Sequence, residues 1–162
     1  MARLFQQFIL NFARRKCSGA SVRSICIEWI AKPESEAART VLPRMITDVI
    51  LEWPDRKIIL DCKYYRKALA ENANRLRLHS AHLYQLYAYM SNQAARPGWE
   101  VCEGILLYPT AAYSIDYRYD LGGHPTRLVT VDFAQDWPLI EADLVKILRG
   151  VKRSSTIENP NC

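Results

Sequence analysis

The sequence lacks the features of membrane, secreted and repetitive proteins. None of its apolar runs approaches the roughly 20 residues that a membrane-spanning helix needs, and its first residues do not resemble a secretory signal. It has only 6 glycines and 8 prolines in 162 residues, which excludes collagen-like and low-complexity sequence. We therefore expect a cytoplasmic protein without a membrane segment.

Paired cysteines are also lacking. The five cysteines are Cys17, Cys26, Cys62, Cys102 and Cys162. Their number is odd, and no two of them have the C-x-x-C spacing of a zinc site or a redox centre. The pattern therefore predicts neither a disulfide framework nor structural zinc, and it fits a reducing compartment.

The composition is that of an ordinary globular domain with a basic surface. Hydrophobic residues make up 49% of the chain and charged residues 24%, which is enough apolar sequence to form a core. Lys and Arg outnumber Asp and Glu by 22 to 17, which gives a net charge of +5. We expect one domain over residues 1–150, a flexible tail over residues 151–162, and a surface compatible with a polyanionic partner.

Periodic apolar residues predict alternating helices and strands. The expected helices are Leu4–Cys17, Arg77–Ala94 and Trp137–Leu148. The expected strands are Ser24–Ala31, Arg44–Trp53, Lys57–Tyr65, Val101–Tyr108, Ala112–Tyr119 and Arg127–Phe133, with a polar loop over Lys32–Thr40. This order predicts an α/β fold in which helices flank a central mixed sheet.

The second and third expected strands form a hairpin with a definite register. If the turn centres between Pro54 and Asp55, Asp48 lies directly opposite Asp61. Because side chains alternate along a strand, Lys63 shares the face of Asp61 while Cys62 points the other way.

Two carboxylates facing each other in otherwise apolar strands need an explanation. Like charges directly opposite each other destabilise a sheet, and a buried, unpaired carboxylate is costly. A divalent cation with oxygen ligands would remove the repulsion. Two plainer interpretations stay open: the carboxylates lie at an exposed sheet end with Lys63 as counter-ion, or a one-residue slip puts them on opposite faces.

These residues, with their flanking sequence, resemble a nuclease family. Thr47-Asp48 followed by Asp61-Cys62-Lys63 is similar to the PD-(D/E)xK nuclease motif, which is degenerate. Further segments resemble, in the family's order, the nuclease domain of the McrC subunit of McrBC-type modification-dependent restriction systems. They are Leu4-Phe5-x-x-Phe8, Leu42-Pro43-Arg44-Met45-Ile46, Ile59-Leu60, Tyr64-Tyr65, Tyr84-Gln85-Leu86-Tyr87-Ala88-Tyr89-Met90 and Gly104-Ile105-Leu106-Leu107-Tyr108-Pro109.

The resemblance implies a restriction-endonuclease-like fold and a DNA endonuclease that uses Mg²⁺, with Mn²⁺ as a substitute. Asp48 and Asp61 would bind the metal with the backbone carbonyl of Cys62, and Lys63 would act on the attacking water and the phosphate. Gln85 and Tyr89 match a Gln-x-x-x-Tyr element beside the catalytic strands; a polar contact between helix and sheet is the plainer interpretation. The partners implied are DNA and an McrB-like GTPase motor.

The sequence departs from the family in three respects. Gln6 stands where the family usually has a metal-binding glutamate, and Cys62 replaces a threonine. The family's motor-engaging region normally precedes the helix at which this sequence begins, so a fragment, a stand-alone relative and a decayed gene product are all compatible with it. The alternatives are a weak or inactive nuclease-fold subunit for DNA binding or assembly, and a stand-alone nuclease of repair or recombination.

Other groups carry weaker signals. His79-x-x-His82 has a zinc-like helical spacing but no evident third ligand, so a surface pair is the plainer interpretation. Glu28 is a candidate extra acid, although a residue at the sheet margin explains it as well. Candidate phosphate-binding residues, which a solvated face would also explain, are Arg14, Arg15, Lys16, Arg66, Lys67, Arg75 and Arg77.

Overall fold

The structure, a computed structural model, describes residues 1–64, 69–72, 75–110 and 114–149. Its helices are α1 (Ala2–Lys16), α2 (Glu36–Thr40), α3 (Ser80–Gln93) and α4 (Trp137–Arg149). Its strands are β1 (Ser21–Arg23), β2 (Cys26–Ile27), β3 (Met45–Ile46), β4 (Val49–Glu52), β5 (Lys57–Cys62), β6 (Leu69–Asn72), β7 (Arg75–Leu78), β8 (Glu103–Thr110), β9 (Asp116–Leu121) and β10 (His124–Asp132).

Six strands form one mixed sheet in the order β1-β4-β5-β8-β10-β9. β5, β8 and β10 are parallel neighbours, and the remaining pairs are antiparallel. β2 with β3, and β6 with β7, make two small antiparallel pairs. The fold is therefore α/β with a central mixed sheet, as the sequence predicts, and it is consistent with a restriction-endonuclease-like domain.

The sheet separates two apolar cores. On one face, α1 and α4 pack over inward-facing residues that include Ile58, Leu60 and Cys62 of β5. On the other face, α3 covers Ile59 of the same strand. β5 is buried along its length after Lys57 because it lies in the middle of the sheet and is covered on both sides. Asp61 belongs by alternation to the α3 face.

The predicted strand Ser24–Ala31 is wrong. The chain instead forms β1, which pairs with β4, and β2, which pairs with β3. The change occurs at Ser24, whose hydroxyl donates a 2.5 Å hydrogen bond to the Thr47 carbonyl. Beyond β2 the chain leaves the sheet, and the Trp29 indole donates to the Pro43 carbonyl. Of the predicted strand, Cys26–Ile27 alone is paired, and the residues from Glu28 to Ile30 form an exposed segment.

Two other predicted boundaries also differ. Within the expected loop Lys32–Thr40, α2 forms because the Ser35 side chain accepts the N–H of Ala38 and caps it. The helix expected from Arg77 begins only at Ser80, because Arg75–Leu78 is the strand β7.

The predicted strand Arg44–Trp53 is also wrong as one element, because it is divided into β3 and β4, and β5 ends at Cys62, three residues before the predicted end at Tyr65. The remaining elements follow the sequence closely. α1, α4, β8 and β10 lie within three residues of their predicted bounds. β9 begins at Asp116, four residues after the predicted start at Ala112. Its turn to β10 uses Gly122 and Gly123 with φ of 61° and 87°, values that favour glycine. No helix in the described ranges is both long and apolar enough to cross a bilayer. The expected tail, residues 151–162, lies outside the described residues.

Candidate active site

The carboxyl end of β5 brings the two predicted aspartates together. β4 and β5 pair in the predicted register, from Glu52 opposite Lys57 to Val49 opposite Leu60. The ladder stops before Asp48, whose carboxylate instead accepts the backbone N–H of Cys62 at 2.7 Å. This hydrogen bond holds the half-buried Asp48 carboxylate against the end of β5, next to Asp61. The alternative of a one-residue slip is thereby excluded.

Asp61 and Lys63 form a nearly buried ion pair. The Lys63 Nζ lies 2.8 Å from Oδ2 of Asp61, and their side chains are 15% and 3% exposed. The contact lacks hydrogen-bond geometry, since the same buried Oδ2 has no hydrogen-bond partner within the described residues. Lys63 therefore balances the charge of Asp61, but Oδ2 of Asp61 has no hydrogen-bond partner within the described residues. Such an oxygen is costly in a buried carboxylate.

Burial disfavours the ionised form of both carboxylates, and for Asp48 the charge of Asp61 adds to the effect. Burial raises the pKa of Asp48 to about 6, and the charge of Asp61 adds to the shift, while the Cys62 N–H and Lys63 oppose it. Burial also raises the pKa of Asp61, with Lys63 opposing. Two carboxylates thus share one ammonium in a poorly solvated place, a setting that favours a further cation.

Gln85 and Tyr89 extend the site onto α3. Lys63 Nζ donates to Oε1 of Gln85 at 2.5 Å, and Nε2 of Gln85 donates to the Tyr89 hydroxyl at 2.7 Å. The Tyr89 hydroxyl in turn donates to the carbonyl of Ile46 at 2.9 Å. The chain of hydrogen bonds runs from Lys63 through α3 to the residues just before Asp48. Gln85 and Tyr89 are therefore in contact with the site.

Two of the departures from the family pattern, Cys62 and Gln6, belong to the face of the sheet that α1 and α4 cover, opposite α3. The Cys62 side chain is buried in the core beneath α1 and α4, and burial, with the two nearby aspartates, raises the pKa of its thiol well above the usual range. The thiol is thus a neutral core group, and the backbone of Cys62 is what faces the site. Gln6 is half-buried on α1, the helix that packs on this same face.

The histidine pair lies at the start of α3 rather than in a metal cluster. Nδ1 of His82 is 2.9 Å from the Tyr108 hydroxyl. Burial lowers the pKa of His82 to about 4, and the charges of Lys63 and His79 contribute. Within the described residues no three His, Cys, Asp or Glu side chains cluster as metal ligands. His79 and His82 therefore do not form a zinc site there.

His82 and Tyr108 are neighbours of the site that the sequence interpretation missed. Lys63 donates its N–H to the Leu107 carbonyl at 2.9 Å, so Tyr108 follows beside Lys63 on the adjacent strand. One signal could have identified His82: it precedes Gln85 and Tyr89 by three and seven residues, a spacing that puts all three on one helix face.

The remaining candidates are dispersed. Glu28 is exposed and outside the sheet. Arg14 and Arg15 are exposed at the end of α1, and Lys16 pairs with Glu141. Arg66 and Lys67, and the side chains of Arg75 and Arg77, lie outside the described residues.

Comparison with known proteins identifies the family. Residues 1–109, about two thirds of the chain, match the family described as "McrBC 5-methylcytosine restriction system component". The chain is also 32% identical over 147 residues to the "Type IV methyl-directed restriction enzyme EcoKMcrBC" of Escherichia coli K12. That match covers 91% of this chain but 42% of the relative, so the chain spans less than half of the relative's length. The chain belongs to the family of McrBC restriction-system components, and its similarity is to the McrC type.

Proposed function

We propose that the chain is a Mg²⁺-dependent DNA endonuclease and serves as the cleavage module of an McrBC-like restriction system. One observation carries the proposal: Asp48 and Asp61 meet in a poorly solvated place at the carboxyl end of β5 with Lys63 as their shared cation. The arrangement is unfavourable for folding, because burial and the charge of Asp61 disfavour ionised Asp48, and Oδ2 of Asp61 has no hydrogen-bond partner within the described residues. Family membership and a net charge of +5 agree with a DNA substrate.

The residues present fit a magnesium ion. Mg²⁺ is typically held by one or two carboxylates together with substrate phosphate and water. Asp48, Asp61 and the backbone carbonyl of Cys62 would supply the protein ligands, and the Asp61 oxygen without a hydrogen bond would gain a partner. Mn²⁺ accepts the same oxygen ligands. When bound, the metal would polarise the phosphodiester and lower the pKa of a coordinated water.

Lys63 is the proposed catalytic cation. Its Nζ contacts Asp61 and Gln85, so its position is fixed from two sides. An ammonium held there would orient the attacking water and stabilise the negative charge that develops on the phosphate. Gln85 is itself held by Tyr89, which is anchored on the Ile46 carbonyl. We therefore assign Gln85 and Tyr89 to positioning Lys63.

The proposed partners are DNA and an McrB-like GTPase motor. The relative from Escherichia coli is named as a methyl-directed restriction enzyme, and directed cleavage requires that some component reads the DNA. This basic chain would contact phosphates, whose contribution is independent of sequence and weakens steeply with salt. Another subunit would then supply site choice, and we expect the chain alone to nick DNA slowly and without site preference.

A plasmid-nicking assay tests the proposal. The purified chain is incubated with supercoiled DNA, methylated and unmethylated, at near-physiological salt with Mg²⁺ or with EDTA. We expect slow nicking that requires Mg²⁺ and disappears in Asp61→Asn, while a matched surface variant, Asp143→Asn, keeps it. Equal nicking by the parent and Asp61→Asn would contradict the assignment. Fast cutting at discrete sites without a partner would favour a stand-alone nuclease.

One observation favours the inactive alternative as second candidate. Gln6 is an amide in a helix position where the McrC resemblance leads us to expect a carboxylate, and amides bind divalent cations more weakly. In that case the chain would bind DNA without cleaving it. The assay separates the two: DNA binding without Mg²⁺-dependent nicking by the parent, and nicking gained in Gln6→Glu, would show that the residue at this position limits the site.

A further inference from the structure

The strand pairing next to Asp48 changes its register by one residue. β1 pairs with β4 up to Arg23 and Ile50, and β2 pairs with β3 from Cys26 and Ile46. Between these pairs, the two residues 24–25 face the three residues 47–49. An extra residue on one strand is a β-bulge, which bends the strand and often re-aims a side chain beside an active site. Asp48 is the middle residue of the three and lies at this bend.

The side chain of Thr47 holds the bulge. In a regular hydrogen-bonded antiparallel pair, two residues exchange both of their backbone N–H···O bonds. The Thr47 N–H donates to the Ile25 carbonyl at 2.9 Å, as in such a pair. The return bond goes to a side chain instead, because the Ile25 N–H donates to Oγ1 of Thr47 at 3.0 Å. The Thr47 hydroxyl donates in turn to the Ile25 carbonyl at 3.2 Å. In this pair the hydroxyl of Thr47 thus takes the place of its own carbonyl.

The Thr47 carbonyl is thereby released from the pair with Ile25. It accepts the Ser24 hydroxyl at 2.5 Å. Because the atoms of a peptide group are coplanar, turning this carbonyl also turns the peptide that joins Thr47 to Asp48. Asp48 then does not continue the ladder, and its carboxylate reaches the Cys62 N–H at 2.7 Å. Thr47 is 1% exposed, so water does not compete for its hydrogen bonds.

A second threonine makes the same two bonds without a bulge. The Thr130 N–H donates to the Ile115 carbonyl at 3.0 Å, and the Ile115 N–H donates to Oγ1 of Thr130 at 2.8 Å. This pair continues the register between β9 and β10, and the residue that follows, Val131, belongs to the apolar core. The hydroxyl pairing is therefore not sufficient for a functional role. Thr47 differs because its pairing coincides with a change of register and precedes an aspartate of the candidate site.

We propose that Thr47 is a positioning residue for Asp48, whose carboxylate it directs onto the carboxyl end of β5 by using its hydroxyl in place of its carbonyl. The inference rests on the proposed function, in which Asp48 is a metal ligand, and adds the group that sets the position of this ligand. Without the hydroxyl, the Thr47 carbonyl returns to its regular place as acceptor of the Ile25 N–H. The turned peptide is then lost, and Asp48 moves away from Cys62.

Hydrogen exchange of the Cys62 amide, measured by NMR on the metal-free, full-length chain, tests this position directly. Thr47→Val keeps the shape of the side chain but lacks the hydroxyl. Its Cys62 amide should exchange about tenfold faster than in the parent, because the bond to Asp48 is weakened. Thr47→Ser retains the hydroxyl and should protect the amide as the parent does. The matched control is Thr130→Val, which should leave it unchanged, and the Ile59 amide in the middle of β5 reports any general loss of stability.

Calorimetric titration with Mg²⁺ connects the position of Asp48 with the metal. The affinity should fall about tenfold in Thr47→Val, the lower end of the usual cost of altering a group that orients a metal ligand. Thr47→Ser and Thr130→Val should bind Mg²⁺ as the parent does. Urea unfolding of each variant verifies that it is folded. If Thr47→Val does not fold, Ser24→Ala replaces it, because this variant removes only the partner of the released carbonyl.

The two measurements separate the role of Thr47 from the proposed function. A Cys62 amide that stays equally protected in Thr47→Val, or in Ser24→Ala where that variant is used, would overturn the role of Thr47. So would an unchanged Mg²⁺ affinity. A parent that binds no Mg²⁺ would instead contradict the proposed function, while faster exchange of the Cys62 amide in Thr47→Val would still support the positioning of Asp48.

Discussion

The two ends of β5 hold their charged groups in opposite ways, and the amino-end pair is partly exposed. At the amino end, Arg56 makes two hydrogen bonds of 2.7 Å to the carboxylate of Glu103. The same guanidinium donates to the carbonyls of Leu148 and Arg149 at the end of α4, at 3.4 and 2.5 Å. One guanidinium thus pairs with a carboxylate and also donates to two carbonyls at the end of a helix, where carbonyls lack partners within the helix.

A second arginine repeats this arrangement on β10. Arg127 makes two hydrogen bonds to Asp116 and reaches the carbonyl of Ile147 at 3.5 Å. A cavity of about 880 Å³ opens among these arginines. Its lining charges are already used to hold α4 and the strands together, so we interpret it as a by-product of the packing and not as the catalytic site.

The carboxyl end of β5 shows the contrary pattern. Asp48 and Asp61 share the ammonium of Lys63, both carboxyl pKa values are raised, and Oδ2 of Asp61 has no hydrogen-bond partner in the part of the chain that the structure describes. Burial of charge therefore does not by itself identify a functional site. Two other features support the proposed site: the neighbouring like charges of Asp48 and Asp61, and the buried Oδ2 without a hydrogen-bond partner within the described residues. Neither feature stabilises the fold.

The largest expected effect is on DNA cleavage by the proposed site at the carboxyl end of β5. Removing the ammonium in Lys63→Ala should lower the nicking rate about 100- to 1,000-fold, the usual cost of losing one group that stabilises the transition state. DNA binding should persist, because phosphate contacts elsewhere supply it. Nicking rates and filter binding at matched salt check this. Lys146→Ala, which alters an exposed lysine of α4, is the control. An unchanged rate would remove Lys63 from the catalytic set.

At the second arginine site, on β10, we expect a loss of stability instead. Arg127→Met keeps most of the side-chain volume but leaves Asp116 and the Ile147 carbonyl without the guanidinium. The free energy of unfolding should fall by about 2 kcal/mol, less than for a fully buried pair because Asp116 is 42% exposed. Urea unfolding measures the change. A stability equal to the parent's would mean that Arg127 does not serve the fold.

Neutralising Asp48, at the carboxyl end of β5, should raise the free energy of unfolding rather than lower it. Asp48→Asn retains an oxygen to accept the Cys62 N–H but removes one of two repelling, poorly solvated charges. Without metal, at neutral pH, the free energy of unfolding should rise by about 1 kcal/mol. Urea unfolding in EDTA is the measurement. A destabilised variant would show that Asp48 serves the fold as the arginines do.

The smallest expected effect concerns pH. The pKa of His82 is lowered to about 4 in the fold, against about 6.5 in an unfolded chain. Below pH 6.5 His82 binds a proton in the unfolded state but stays neutral in the folded state. The free energy of unfolding therefore decreases as the pH falls toward 4. His82→Gln should therefore lose less stability than the parent between pH 7 and pH 5. Identical losses in urea unfolding would contradict this.

The sequence predicts the hairpin and its register well because both follow from local pattern. Asp48 and Asp61 were predicted to face each other from the turn at Pro54 alone, and the paired part of the ladder has that register. The sequence does not show that the ladder stops before Asp48, because the interruption depends on the pairing of Thr47 with distant Ile25. The network of Gln85 and Tyr89 was expected from the family resemblance and not from spacing.

Other elements depend on contacts that no local pattern contains. The apolar run around Cys26 looks like one strand, but within it Cys26–Ile27 alone pairs, with β3, and the pairing with β4 falls on Ser21–Arg23, before the run begins. The short pair of β6 and β7 was missed although Arg75–Leu78 alternates polar and apolar residues as a strand does, because the predicted helix was extended back to Arg77. The Arg56 and Arg127 sites were not anticipated at all, since their partners lie 11 to 93 residues away.

Calorimetric titration with Mg²⁺ tests the central claim, that the carboxyl end of β5 holds its charges for a metal and the amino end holds them for the fold. The parent and Glu103→Gln, which alters the amino-end ion pair, should bind Mg²⁺ alike, whereas Asp48→Asn and Asp61→Asn should lose the binding. Unfolding curves show that each variant is folded at the temperature used. If both aspartate variants bind Mg²⁺ as the parent does, the account is contradicted.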